Sequence, residues 1–326
     1  MRILYLGSLN EFSRIPLQML LKVGMDICAV WAPLSAMVAY RKNPSSRLRA
    51  SLSDLGLPPW AQDVPVEWIF DFDVSFMDEA MDLLDETIEL SARKLKALAP
   101  DVVCVACLEQ RIPSDLLAIP KHGFLNLHPS LLPRYRGPAP LFWQFRAGER
   151  WTGVTVHWMD ASLDTGDIAG QRRTPLPSGI TGPEADRLLG TLAGELLIQV
   201  LTELEAGRIA RRPQRPGGSY YSWPQAEDFR LETRWPARRA YNFMRGTAEW
   251  ARPYPVRVAG EELWLGGVLE YSEGESLPVS WERVDLKGTN LEWLDGQVVR
   301  IQFTPGVLTA LLSSRPRPRP PGRQGE

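Results

Sequence analysis

The opening stretch, Met1 to Trp31, confines the chain to a narrow set of folds. Arg2 to Leu6 is an apolar, strand-forming run that stops at Gly7. Glu11 to Val23 repeats its apolar residues at helical spacing through Ile15, Leu17, Leu20 and Leu21, and Gly24 ends it. Met25 to Trp31 is again a strand pattern. Strand, helix and strand in this order are how a parallel, doubly wound sheet begins. The first turn reads Gly7-Ser8-Leu9-Asn10 and lacks Gly-x-Gly-x-x-Gly, which argues against a dinucleotide site. The alternation continues with strands at Val66 to Phe70 and Val102 to Ala106 and a helix between them at Phe76 to Leu98. That helix is acidic early and basic late, which suits its dipole. The expected fold class is therefore α/β, with a Rossmann-like, doubly wound, mostly parallel sheet.

The next strand carries chemistry. Phe124 to Leu127 is a short apolar run, and Asn126 and His128, two residues apart, project to one face at its carboxyl end. Pro129 cannot donate to a ladder, so pairing stops there. Pro133, Gly137, Pro138 and Pro140 stiffen the loop that follows. Ligands of open α/β sheets bind where the strands run out. A second strand, Thr152 to Asp160, runs into the turn Ala161-Ser-Leu-Asp164-Thr-Gly166-Asp167 and returns through Ile168 to Arg173. The tip of this hairpin can bring Asp164 against His128.

Asn126-Leu-His128-Pro-Ser-Leu-Leu-Pro133, followed by Thr152-Gly-Val-Thr155 and Leu163-Asp-Thr-Gly-Asp167, resembles the 10-formyltetrahydrofolate-dependent formyltransferases. That family includes enzymes acting on methionyl-tRNA, on glycinamide ribonucleotide and on amino-sugar nucleotides. The match is dense from residue 100 to 175. The resemblance implies a formyltransferase fold and N-formyl transfer. It gives Asn126, His128 and Asp164 the catalytic positions and makes 10-formyltetrahydrofolate the co-substrate, with no metal. It places Leu108, Arg111, Ile112 and Asp160 at the folate. The loop from Leu108 to Pro113 would touch the pterin, largely through backbone groups.

Composition sets further bounds. A net charge of −2 argues against a generic nucleic-acid coat, though not against one local basic patch. No apolar run approaches the roughly 20 residues of a membrane span. The amino terminus enters a strand pattern without a signal-peptide pattern. Three cysteines make no disulfide framework, so a reducing cytoplasm is expected. Cys104-x-x-Cys107 lies on a strand, where residues three apart face opposite sides, so it reads as structural. His157, in mid-strand, reads as a packed or ring-bonded histidine rather than a catalytic one. His122 reads as a turn residue.

The catalytic domain is expected over residues 1–206, including a short helix at Leu141 to Ala147 and a long one at Thr181 to Ala206. Residues 207–218 are basic and rich in Pro and Gly, and read as a linker. Residues 219–313 contain a helix at Pro236 to Arg245 and short strands divided by Gly and Pro. Together with several of the chain's 12 tryptophans, these suggest a smaller β-barrel-like domain, which the resemblance implies binds the acceptor. Residues 314–326 read as a disordered basic tail. By resemblance, length, linker and β-rich second domain point to an amine acceptor such as initiator methionyl-tRNA. The family's enzymes acting on that tRNA carry a basic, glycine-rich loop near Arg41 to Arg49. Here the basic residues stand without the glycines, which favours a sugar-nucleotide acceptor. Hydrolysis of the same folate, and a silent RNA- or partner-binding module, are the further alternatives.

Overall fold

The apolar runs too short for helices build the central sheet. β1 (Arg2–Gly7), β2 (Asp26–Pro33), β3 (Val66–Ile69), β4 (Val102–Ala106) and β5 (Phe124–His128) are joined side by side in parallel. β6 (Trp151–Trp158) and β7 (Ile168–Pro175) extend it as antiparallel strands, giving the order β3-β2-β1-β4-β5-β6-β7. The computed structural model describes residues 1–8, 10–33, 66–69, 80–108, 111–277, 291–295 and 297–314. The Arg41 to Arg49 cluster and the tail after Ser314 lie outside these residues.

Both faces of the parallel part are covered, which is why its strands are apolar throughout rather than alternating. Every residue of β4 is buried. On one face, Leu4, Leu6, Val103, Val105 and Phe124 pack against Leu95 of α2 (Ala80–Leu98) and Leu116 of α3 (Ser114–Leu117). Burying each such aliphatic side chain is worth about 1.5–3 kcal/mol. On the other face lies α1 (Glu11–Lys22), where Tyr5 donates its hydroxyl to the Ser13 carbonyl at 2.6 Å. Asn10 caps α1 by accepting from the Ser13 amide.

The long helix α5 (Gly182–Glu205) crosses α1 through glycines. A Cβ at Gly194 would lie 3.2 Å from the Pro16 Cα and 2.4 Å from Met19 Sδ, so a larger residue would press on α1.

Contacts divide the chain into two units: Met1–Pro140, Trp151–Pro175 and Pro183–Ser222 in the first, and Leu141–Arg150, Leu176–Gly182 and Trp223–Glu326 in the second. Two segments sit differently from the sequence expectation. The stretch read as a linker, 207–218, belongs to the first unit, where Arg212 pairs with Ile168 through both backbone groups. The helix α4 (Pro140–Ala147) contributes Leu141 onward to the second unit, because Phe142 packs edge-on against Phe229 and Phe243.

In the second unit, α6 (Ala237–Gly246) accompanies a five-stranded antiparallel sheet of order β10-β11-β12-β9-β8. Its strands are β8 (Tyr254–Val258), β9 (Glu261–Ser272), β10 (Leu291–Asp295), β11 (Val298–Gln302) and β12 (Val307–Leu312). β9 runs on through Gly266 and Gly267; Gly267 pairs with Leu311 of β12, and the register shifts past Gly266. No helix among the described residues is long and apolar enough to cross a membrane.

Candidate active site

Register places the polar side chains of the site. Asn126 lies directly opposite His157 and His128 directly opposite Thr155 on the β5–β6 pair, so all four share one face of the sheet. The turn after β6 then doubles back over that face. Gly166 makes this possible: a Cβ there would sit 1.9 Å from the Trp158 carbonyl. Asp164, in the left-handed region at φ 56°, is carried to the two histidines.

The geometry around Asp164 is specific. Its Oδ1 is 3.5 Å from His128 Nδ1, 3.5 Å from His157 Nε2, and accepts from Asn126 Nδ2 at 3.4 Å. Its Oδ2 accepts from the Gly137 amide at 2.8 Å. The structure thus brings Asn126, His128 and Asp164 together. It also adds His157, 1% exposed, to their cluster. His157 is ring-bonded as its sequence context suggested, but to the site itself: Asn126 Nδ2 lies 3.2 Å from its Nε2. Nothing in a single strand's alternation reveals this; the β5–β6 register does.

Hydrogen-bond chemistry fixes the tautomers. His157 Nδ1 is 2.8 Å from the Trp158 carbonyl, which only accepts, so Nδ1 carries the hydrogen. In the neutral ring Nε2 is then an acceptor, and Asn126 must turn its NH₂ toward it. His128 Nε2 is 2.8 Å from the Tyr135 carbonyl, so Nε2 carries that ring's hydrogen. The free lone pair of neutral His128 is on Nδ1, facing Asp164. A proton gained by His128 therefore lands between the imidazole and the carboxylate.

Electrostatics follow from burial and neighbours. Burial pushes the His128 imidazole below its ordinary value, opposed by the Asp164 charge and by the hydrogen bond to Tyr135. Burial alone would raise the Asp164 carboxyl. The nearby His128 and His157 rings and the Gly137 amide outweigh it and hold the carboxyl well below the usual carboxylate range. The resting pair at neutral pH is an ionised carboxylate beside a neutral imidazole.

Beside this cluster a small crevice of about 40 Å³ is lined by Asn126, His157 and Asp164. Leu108, Arg111, Ile112 and Asp160 all line it too. Ile112 is buried and Arg111 exposed. The Asp160 carboxylate is turned to its own loop, accepting from Thr165 Oγ1 at 2.7 Å and from the Ser162 amide at 3.0 Å. It shapes the turn that carries Asp164. Cys104 is buried and its thiol is pushed up by desolvation; Cys107 is partly exposed at the end of the same strand. Among the described residues, no group of three or more His, Cys, Asp or Glu is placed to hold a metal ion.

Comparison with known proteins bears on the family. Residues 79–201 match the family model described as formyl transferase. Over 160 residues, 49% of this chain and 51% of the relative, the chain is 42% identical to the methionyl-tRNA formyltransferase of Anaeromyxobacter dehalogenans. With that of Geotalea uraniireducens it shares 32% identity over 302 residues, covering 92% of this chain and 88% of the relative. The chain thus spans about half the length of several curated relatives it matches, and most of the length of others. Among solved structures, the sugar 3N-formyl transferase WlaRD, determined in the presence of dTDP and 5-N-formyl-THF, shares the fold. Its TM-score is 0.60 at 14% identity, over 97% of this chain and 98% of that one. By this similarity to the Geotalea enzyme, the chain belongs to the formyl transferase family.

Proposed function

We propose that this protein moves a formyl group from 10-formyltetrahydrofolate to an amine, with methionyl-tRNA as the acceptor and Asn126, His128 and Asp164 as the catalytic residues. The observation that carries the reaction is the meeting of those three side chains, of which Asn126 and Asp164 line one crevice and His128 is buried behind Asp164. The acceptor reading rests on similarity to methionyl-tRNA formyltransferases over nearly the whole chain.

The crevice suits a folate as substrate. Val105, Leu108, Ile112 and Met159 offer apolar walls for a flat heteroaromatic ring, while the 160–164 turn offers polar backbone groups at its edge. Leu108, Arg111, Ile112 and Asp160 are the residues proposed to hold it.

The chemistry is acyl transfer to nitrogen. A neutral amine attacks the formyl carbon, a tetrahedral centre with an oxyanion forms, and the carbon–nitrogen bond to the folate breaks. The amine nitrogen must lose a proton and the folate nitrogen must gain one. His128 can carry that proton on Nδ1, because Nε2 is committed to Tyr135. Asp164 stabilises the imidazolium formed in passing. Asn126 Nδ2, with one hydrogen on His157 Nε2, would release its long 3.4 Å contact with Asp164 to donate the other to the oxyanion. No covalent enzyme intermediate is required.

The test is transfer of labelled formyl from 10-formyltetrahydrofolate to methionyl-tRNA, an amino-sugar nucleotide, glycinamide ribonucleotide or no acceptor. Label entering methionyl-tRNA is the expected result. Label entering only the sugar, or formate released without any acceptor, would sink the acceptor assignment.

A further inference from the structure

Gln214 stands in the stretch Arg211-Arg-Pro-Gln-Arg-Pro-Gly-Gly218, whose composition reads as a tether. From Arg211 to Gly218 it is the one half-buried residue, the others being exposed. Its amide meets the turn that carries Asp164. Nε2 donates to the Asp164 carbonyl and to the Gly166 carbonyl, both at 2.8 Å. Oε1 accepts from Arg136 Nε at 3.2 Å and from a terminal nitrogen of Arg136 at 2.6 Å. Arg136 Nε also donates to the Asp164 carbonyl at 3.1 Å. The amide orientation is forced, since carbonyls cannot donate and a guanidinium cannot accept.

We propose that Gln214 is a positioning residue for the transfer reaction, clamping the backbone of Asp164 so that its carboxylate meets His128. The inference rests on the role proposed above for Asp164. Asp164 holds a left-handed backbone, and the bonds that Gln214 and Arg136 make to its carbonyl add to those within the turn in holding it there. Only an uncharged amide donates to two carbonyls while accepting a guanidinium; Glu lacks the donor and Lys lacks the acceptor. The segment is itself pinned on both sides of Gln214. Arg212 pairs with Ile168, and the Ser219 hydroxyl accepts from the Tyr135 amide at 2.9 Å. Arg136 is flanked by the Tyr135 carbonyl that fixes His128 and the Gly137 amide that binds Asp164. One side chain therefore ties together the two loops that hold the acid–base pair.

The experiment uses the full chain with Gln214→Glu and Gln214→Ala. The Glu variant keeps the shape and the acceptor for Arg136 but places a carboxylate against two carbonyls. Formyl transfer should fall about 10- to 100-fold in kcat in both variants, with KM for the folate within about twofold, as for a misplaced catalytic group. The Gly137 amide resonance, which reports its bond to Asp164, should shift in both. Wild-type kcat together with an unmoved Gly137 resonance overturns the inference, and so does a loss confined to an unfolded Ala variant. If the unaltered protein transfers no formyl group, the functional reading fails separately, and the Gly137 resonance alone decides the clamp.

Discussion

The backbone amide of Gly137 donates to Asp164 Oδ2 at 2.8 Å, joining the loop after β5 to the turn after β6. Gly137 has φ 111°, and a Cβ on it would lie 1.9 Å from the Tyr221 carbonyl. Gly137→Ala must shift one backbone or the other. We expect it to cost at least about 1–3 kcal/mol in urea unfolding and to lower transfer as well. A variant with unchanged stability would show that the close approach relaxes freely.

Substitution within the cluster should separate chemistry from folding. Asn126→Ala should lose about 10²- to 10³-fold in rate, the usual effect of deleting one oxyanion donor. His128→Ala should lose about 10²- to 10⁴-fold, the range of a general acid–base group. Far-UV circular dichroism should stay native in both. Near-native turnover in His128→Ala would remove the imidazole from the mechanism.

The pH dependence has a definite sign. Burial holds the His128 imidazole below its ordinary value of about 6.5. A base that must be neutral then works through neutral pH and fails only on the acid side of that value. Asp164 is the charge opposing the effect of burial; His157 and Arg136 act in the same direction as burial. Asp164→Asn should therefore shift the acid limb of kcat/KM to still lower pH while reducing the rate. A limb displaced upward would contradict this arrangement of charges.

Phe142 tests the division of the chain. It is 3% exposed and its ring meets Phe229, Phe243 and Trp250 within the second unit. Phe142→Ala should cost about 3–5 kcal/mol, seen as earlier unfolding of the tryptophan-rich unit in urea. Unfolding that remains indistinguishable from wild type would mean that the ring cluster does not hold that unit.

If the acceptor is a tRNA, several phosphates are neutralised on binding and its KM should climb steeply with salt, whereas the folate KM should change little. A salt-insensitive acceptor KM would favour a smaller substrate.

Much of the catalytic unit was legible in the chain. Apolar runs bounded by Gly and Pro located β1, β2, β4 and β5, because a strand buried on both faces must be apolar along its length. Period-two alternation put Asn126 and His128 on one face, and the Asp-Gly turn between β6 and β7 marked where a third polar group returns. At 207–218 composition reads a tether, since a basic, proline-rich stretch gives no local sign that its Gln214 amide bonds to the Asp164 turn. It likewise left Leu141 to Ala147 with its sequence neighbours, although its aromatic partners come from roughly a hundred residues later.

The order of residues therefore decided the strands, their faces and the identity of the three candidate side chains, since backbone stereochemistry and burial act over a few neighbours. Tertiary structure alone decided the recruitment of His157, the tautomers of both histidines and the clamp at Gln214. Those depend on strand register and on carbonyls from distant loops, and no local pattern encodes which acceptor a given N–H will meet.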